Sequence, residues 1–383
     1  MGYKNAITAK QNRIVSLDIF RGIAMLLVAL YHFTSRLPSY SLNMETPVNI
    51  QINFGWIGVY FFFIISGYCI FMTLERAKDI RTFLAKRFSR VYPAFLAATI
   101  LLFIFGLFAP VPIVPEVSYN ESAKTIFDVF LNLIFLGELG EWINGSFWSI
   151  AVEIKFYLAL AAFAFLFGSH KRLVFWFSIL SLVMMLIWVF ATIPLPFSDS
   201  IDSRSLLQFL VIAPYLCFFA FGILARRLKL GLINERWLFL TTGVAMVIVM
   251  STLSYNPASD ILEYIITITI FLILLYLFVR FALGAALPNI PILTPLLAKM
   301  GLLSYSWYLL HETIGLTIMA IAGPYIFAWA NVLLALTITF LLAWIFSSIF
   351  EWRFRKIFEN LALWIMNIFD FNKNKKSTKT YKI

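Results

Sequence analysis

The chain has 383 residues, 62% hydrophobic and 13% charged, with a formal net charge of +11 and a mean hydropathy of +0.89. Soluble domains carry ~25% charged residues, so this composition excludes both an ordinary water-soluble protein and a disordered chain. Ten membrane helices of ~20 residues would take about 200 residues, a length this chain accommodates with short loops.

Apolar runs of spanning length fall near residues 17–36, 52–74, 89–109, 147–167, 173–193, 206–225, 236–252, 260–279, 302–321 and 328–350. They predict an all-α, polytopic membrane protein with ten transmembrane helices. The apolar stretch 124–137 is too short to cross and is expected to lie on the membrane surface or to re-enter it.

The cations test this count. Alternate gaps hold Lys4, Lys10 and Arg13, then Arg76, Lys78, Arg81 and Lys86, then Lys171 and Arg172. The same side continues with Arg226, Arg227 and Lys229, then Arg280 and Lys299, then the basic tail after Glu351. The opposite gaps hold Arg36, Lys124 and Arg204 together with most loop carboxylates, among them Glu45, Glu116, Glu121, Glu138 and Asp199. The positive-inside rule therefore puts both termini in the cytoplasm. The positive charge belongs to these loops, and no nucleic-acid partner is expected.

The first span has no small-residue cleavage pattern at its end and reads as a retained helix, not a signal peptide. Cys69 and Cys217 both sit in apolar runs, which offers neither a disulfide framework nor a cysteine metal site. No His/Asp/Glu cluster has ligand spacing, so no metal is expected. The expected division is a membrane domain over 1–350 and an interfacial helix with a basic cytoplasmic tail over 351–383. Topology anchoring alone would explain that tail equally well.

Ionisable groups inside spans are costly, and they mark either a functional site or a structural bridge. The first span carries Asp18, Arg21 and His32. Arg21 and His32 are within about 20° of one helix face and about 16 Å apart along the axis. Asp18 is one turn before Arg21 and in reach of it. The plain alternative makes Arg21 a topology anchor and His32 an interfacial ring. In the second span Gly55, Gly58 and Gly67 are placed for close helix packing. Ser66 lacks a visible His or Lys partner that would make it a nucleophile.

At the third span Arg87 and Arg90 share a face at the cytoplasmic boundary, a fork suited to phosphates or, equally, to lipid headgroups. The fourth span carries Glu153 about two turns in from the outer side, a depth comparable to His32. The expectation is that this carboxylate supports the imidazole as a base, with a bridge to another helix as the alternative. Lys155 points about 200° away and is expected to make a different contact. Tyr157 follows Glu153 by one turn. The ninth span brings His311, either lining the same cavity or purely structural. His170, in a cytoplasmic turn, is expected to take no part.

Together these blocks resemble the acyltransferase-3 family of bacterial inner-membrane acyltransferases. The resemblance rests on Asp18 through Arg21-Gly22 with His32, then Gly58 through Ser66-Gly67, then Arg87-Phe88-Ser89-Arg90 with Tyr92-Pro93. It continues with Trp148-Ser149, Glu153 and Phe156-Tyr157, then Ser304-Tyr305, Tyr308 and His311, and finally Glu351. The resemblance implies a multi-pass enzyme of the bacterial inner membrane that moves an acyl group, often acetyl, from cytoplasmic acyl-CoA. The acceptor implied is a hydroxyl of a surface or exported glycan, free or lipid-linked, such as O-antigen, capsule or peptidoglycan.

On this analogy Arg21 and His32 form the family's Arg-ten-His motif, with His32 as the candidate catalytic residue, and Arg87 and Arg90 belong to the acyl-CoA side. A mechanism consistent with it adds Glu153 as support for His32 and Arg21 as a further acyl-CoA contact. Asp18, Tyr157, Ser66 and His311 are then candidates for lining the cavity. His32 serves as general base or as an acylated relay. A short basic tail in place of an extracytoplasmic domain implies the single-domain type. Membrane lipids are expected partners, and a homo-oligomer is left open. The rival reading is a secondary transporter or glycan flippase without acyl transfer, although neither inverted repeats nor spans broken at the midplane are visible.

Overall fold

A computed structural model describes residues 14–36, 51–108, 124–192, 207–208, 211–232, 236–255 and 261–368. Every regular element among them is helical. In chain order these are α1 (Val15–Tyr31), α2 (Ile57–Glu75), α3 (Ile80–Phe108), α4 (Ile126–Leu133), α5 (Phe147–Phe167) and α6 (His170–Thr192). Then follow α7 (Leu216–Lys229), α8 (Arg236–Ser254), α9 (Ile261–Ala282), α10 (Leu293–Ala322), α11 (Ala328–Phe346) and α12 (Arg355–Ile368). A π-helical turn, His32–Arg36, extends α1, and another, Ser347–Arg353, extends α11.

Eight helices among the described residues are long and apolar enough to cross a bilayer. The two expected spans outside that set are α7 and α10, and the reason is physical. Residues Leu216–Ala225 of α7 are all buried, and the described helix has 14 residues. Along its 30 residues α10 carries Ser304, Ser306, His311 and Glu312, all buried. Most of α7 and residues 301–320 of α10 are wrapped by protein, where length and hydropathy are not set by lipid. Lipid-facing positions are the reverse: Phe165, Phe190, Leu240, Ile265, Leu333 and Trp344 are exposed and apolar. The chain is a multi-pass membrane protein.

Lipid tails are as apolar as leucine, so helices in a bilayer associate through close packing and polar contacts rather than by escaping water. The glycines show how. A Cβ on Gly22 would lie 2.1 Å from the Leu297 carbonyl oxygen, and one on Gly301 would lie 1.7 Å from that of Asp18. The backbones of α1 and α10 therefore touch. His32 meets His311 further along the same two helices at a sequence offset of 279, the offset that also relates Gly22 to Gly301. The two helices thus run parallel over about 15 Å. Gly58 lets α2 reach the Ala24 carbonyl of α1, and Gly67 lets it reach Phe219 of α7.

The segment expected on the membrane surface folds as α4, whose apolar residues Ile126, Phe127 and Phe130 are exposed. Thr125 and Asp128 form a capping box, with Asp128 Oδ2 accepting from the Thr125 N–H at 2.7 Å and its hydroxyl at 2.6 Å. Asp128 Oδ1 accepts from the Glu141 N–H at 2.9 Å, and Asn132 ties to Glu141 and Ile143. This staple positions Asn144, whose amide donates to the Leu309 carbonyl at 2.9 Å, and so fixes the start of α5 against α10. Burial pushes the Asp128 carboxyl up, but the hydrogen bonds from Thr125 and Glu141, with Lys124 nearby, outweigh it and hold it below its ordinary range. Helix α12 packs back along α3, with Phe358 6.2 Å from both Phe88 and Tyr92. The polar N-terminal stretch and the lysines beyond Ile368 lie outside the described residues.

Candidate active site

Five helices surround one cavity with about 770 Å³ of empty space, its open mouth included. Arg21 comes from α1, Ser66 from α2, and Arg87 and Arg90 from α3. One face of α5 supplies Ser149, Glu153 and Tyr157 at successive i,i+4 positions, and α10 supplies Ser304, Tyr305 and Tyr308. Apolar residues Val59, Phe62, Phe63 and Ile150 complete the wall. Three guanidiniums and one carboxylate thus face a partly hydrophobic space.

Each charge has a different degree of satisfaction. Arg21 lies 3.8 Å from Asp18 one turn earlier, as the spacing predicts, while Asp18 itself is not on the cavity wall. The expected arginine fork is asymmetric. Arg90 is ion-paired to Glu351, a carboxylate 1% exposed that also accepts from Ser306 Oγ at 2.8 Å and Ser347 Oγ at 3.1 Å. Arg87 has a buried Nε with no hydrogen-bond partner. Glu153 accepts from Ser66 Oγ at 2.5 Å. Tyr308 Oη and Ser149 Oγ are 2.6 Å apart, and Tyr305 Oη donates to the Val91 carbonyl at 2.8 Å. Lys155 pairs with Glu138 away from this cluster, the separate contact its helix angle predicts.

The imidazoles form a second cluster. His32 Nδ1 and His311 Nε2 are 2.8 Å apart, in rings 7° from parallel. On its other side, His32 Nε2 meets Arg36 at 3.2 Å. Arg36 is ion-paired to Glu312 at 2.8 Å, and His311 Nδ1 is 2.9 Å from the Tyr308 carbonyl. Both rings are buried, and neither is on the cavity wall. Tyr308 belongs to both clusters: it lines the cavity, and its ring is 5.5 Å from that of His311.

The expected His32–Glu153 pair is therefore not what the helices assemble. Helix α1 is flanked chiefly by α10 and α2, so the face carrying His32 meets His311. Glu153 faces α2 and takes the Ser66 hydroxyl instead. Of the expected cavity-lining residues, Ser66 and Tyr157 line it and Asp18 and His311 do not. His170 meets Phe71 edge to face, apart from both clusters. Sequence reasoning missed Arg36 and Glu312. The signal was present: Arg36 is i+4 from His32, and Glu312 adjoins His311, so an outer cation and an intramembrane carboxylate each stood beside a histidine.

An all-helical bundle that buries cations, carboxylates and imidazoles around an internal cavity defines a polytopic membrane protein with a built polar site. The family model for an acyltransferase domain, the acyltransferase-3 family, matches residues 14–348, and the chain belongs to that family. It is similar to a putative acetyltransferase of Acidianus two-tailed virus, 28% identical over 153 residues, which is 39% of this chain and 41% of that protein. It is similar also to the O-acetyl transferase of Shigella phage Sf6, 33% identical over 115 residues, or 27% and 33% of the two chains. A peptidoglycan O-acetyltransferase of Listeria monocytogenes is 26% identical over 170 residues, or 40% and 24%. The chain thus spans less than half the length of these curated relatives. No solved structure matches it.

Proposed function

We propose that this protein is a membrane O-acyltransferase, taking an acyl group, acetyl in the first instance, from cytoplasmic acyl-CoA to a hydroxyl of a surface or exported glycan. The cavity carries the reading: three guanidiniums and a hydrogen-bonded carboxylate, inside helices matched by an acyltransferase family. The names of the relatives, O-acetyl transferase and peptidoglycan O-acetyltransferase, support acetyl and a glycan hydroxyl. The proposed setting is the bacterial inner membrane, with ten spans and both termini cytoplasmic. The parallel run of α1 and α10 supports that count, because the first and ninth spans of such a chain cross in the same direction.

In this mechanism the CoA phosphates dock on Arg87 and Arg21, for which charge-assisted, bidentate contacts are the natural match. Arg90, neutralised by Glu351, adds shape and hydrogen-bond donors more than net charge. The pantetheine arm runs along the apolar wall toward Tyr308. His32 takes the proton of the acceptor hydroxyl as its oxygen attacks the thioester carbonyl. The C–S bond then breaks, and CoA leaves as thiolate, to be reprotonated. In the relay variant His32 itself holds the acyl group between the two substrates. Glu153 and Ser66 line the donor side rather than supporting the imidazole.

The test is mass spectrometry of surface glycans from a deletion strain complemented with wild type or His32→Ala, together with acyl-CoA binding to the purified protein. The expected result is an acyl mass shift restored by wild type alone. Equal restoration by His32→Ala, or translocation of glycan with no change in acylation, would overturn the reading.

A further inference from the structure

The hydrogen bonds around the two imidazoles admit one arrangement of protons. A carbonyl oxygen only accepts, so His311 Nδ1, 2.9 Å from the Tyr308 carbonyl, carries a hydrogen. In the neutral ring its Nε2 is then an acceptor. His32 Nδ1, 2.8 Å away, must be the donor to it. That leaves His32 Nε2 as a bare lone pair, and the group facing it, Arg36 at 3.2 Å, has only N–H to offer. The opposite assignment would oppose the Nε2–H of His32 to an Arg36 N–H. Each contact in the chain from Tyr308 to Arg36 therefore agrees on the same tautomer, and Glu312 holds Arg36 in place at 2.8 Å.

We infer that His311 is a positioning residue that locks His32 in its Nδ1–H tautomer, so that Nε2 is the working nitrogen and the acceptor hydroxyl approaches it from the Arg36–Glu312 side. The catalytic part of this rests on the proposed acyl transfer; the tautomer does not. A ring's basic nitrogen is chosen by the hydrogen bond that its other nitrogen makes, and here the choice is made by a second imidazole on a parallel helix. Donor and acceptor would then reach the reaction centre from different sides. The acyl-CoA side is the cavity, with Tyr308 on its wall next to His311, and the hydroxyl side is the outer turn that carries Arg36.

Nitrogen-15 NMR of the full-length, histidine-labelled protein in nanodiscs reads the tautomer directly. His170→Gln and His32→Gln variants supply the assignments. Protonated Nδ1 and bare Nε2 on both His32 and His311 are expected, although this is the minor form of free neutral histidine. A protonated Nε2 on His32, or a tautomer mixture, overturns the inference whatever the enzyme does. In turnover, His311→Leu should lower kcat on the order of 10²-fold, less than the ~10⁴ lost when a triad imidazole is held in the wrong tautomer.

His311→Gln, whose amide oxygen can accept the same Nδ1–H, should recover most of that loss, with the KM for acyl-CoA unchanged in both variants. Equal losses in both variants, or a raised acyl-CoA KM, overturn the positioning role. Arg36→Gln should raise the KM for the glycan and leave that for acyl-CoA alone; the reverse pattern overturns the proposed direction of approach. If His32→Ala retains acyl transfer while the spectra show the Nδ1–H form, the catalytic assignment of His32 fails and the tautomer lock stands.

Discussion

Two polar clusters lie in one bundle, and they are built on opposite plans. At the cavity, three guanidiniums face a single carboxylate, and Arg87 leaves its Nε unpartnered. At the imidazoles, each of the four ring nitrogens of His32 and His311 has a polar neighbour within 3.2 Å. An open set of cations suits a mobile, multiply charged ligand that arrives and leaves. A closed set suits a group whose orientation must not vary. The difference teaches that burial alone does not identify a binding side: unspent hydrogen-bonding capacity lies at Arg87 Nε on the cavity side and, on the imidazole side, not on the rings but at Glu312 Oε2 beside Arg36.

The sharpest way to break this comparison is at His32. General base catalysis is worth ~10²–10⁴-fold, so His32→Ala should lower acyl transfer by that factor while acyl-CoA binding to the purified protein stays within twofold, on the order of the additivity error for separate sites. Loss of acyl-CoA binding in that variant would merge the two clusters into one.

Next comes Glu351, beyond the last expected span yet buried against Arg90. Removing one partner of a buried ion pair costs about 3–5 kcal/mol. Glu351→Ala should show that loss as a lower thermal midpoint in detergent, and an unchanged midpoint would mean that Arg90 has no need of its carboxylate. Arg87→Ala should weaken acyl-CoA binding by about 10- to 100-fold, the worth of a charge-assisted hydrogen bond of ~1.5–3 kcal/mol. Calorimetry with acyl-CoA and with its dephospho form would show whether the phosphates are what Arg87 reads.

The smallest effect belongs to the α4 staple. Thr125→Val removes a capping side chain worth about 1 kcal/mol. The fold holds the Asp128 carboxyl below its ordinary range, so the ionised form is the stabilised one. That stabilisation is complete above the ordinary carboxylate pKa of about 4 and is lost as pH falls through the lower folded value. Asp128→Asn should therefore destabilise the protein at neutral pH and bring its midpoint closer to that of wild type in acid. A constant gap across pH would show that the carboxylate charge contributes nothing there.

Hydropathy and cation alternation made the helices legible, because lipid taxes every misplaced charge. The same cost singled out Arg21, His32, Arg87, Arg90 and Glu153, four of which line the cavity. What could not be read was partnership. Glu153 and His32 sit at similar depth, but depth is a one-dimensional coordinate, and which helix stands beside which is not. The interposition of α10 decided that Glu153 meets Ser66 and His32 meets His311. The pairing of Glu351 with Arg90 was hidden for a related reason: Glu351 follows the apolar run, where a sequence reading expects an interface, while the π-helical turn carries it back into the core. Arg36 looked like a loop cation because its partner Glu312 lies 276 residues later in the chain.

The paired glycines at the α1–α10 crossing bear on how this protein can change over generations. Gly22 is ten positions before His32, and Gly301 ten before His311, so the two rings inherit their spacing from a crossing that adjoins Arg21 and Asp18. A methyl group added at either glycine would pry the helices apart and be felt as a gap between the imidazoles. Drift at that crossing is thus constrained by the proposed reaction centre about two to three turns away, and a library of substitutions there should lose turnover before it loses membrane insertion.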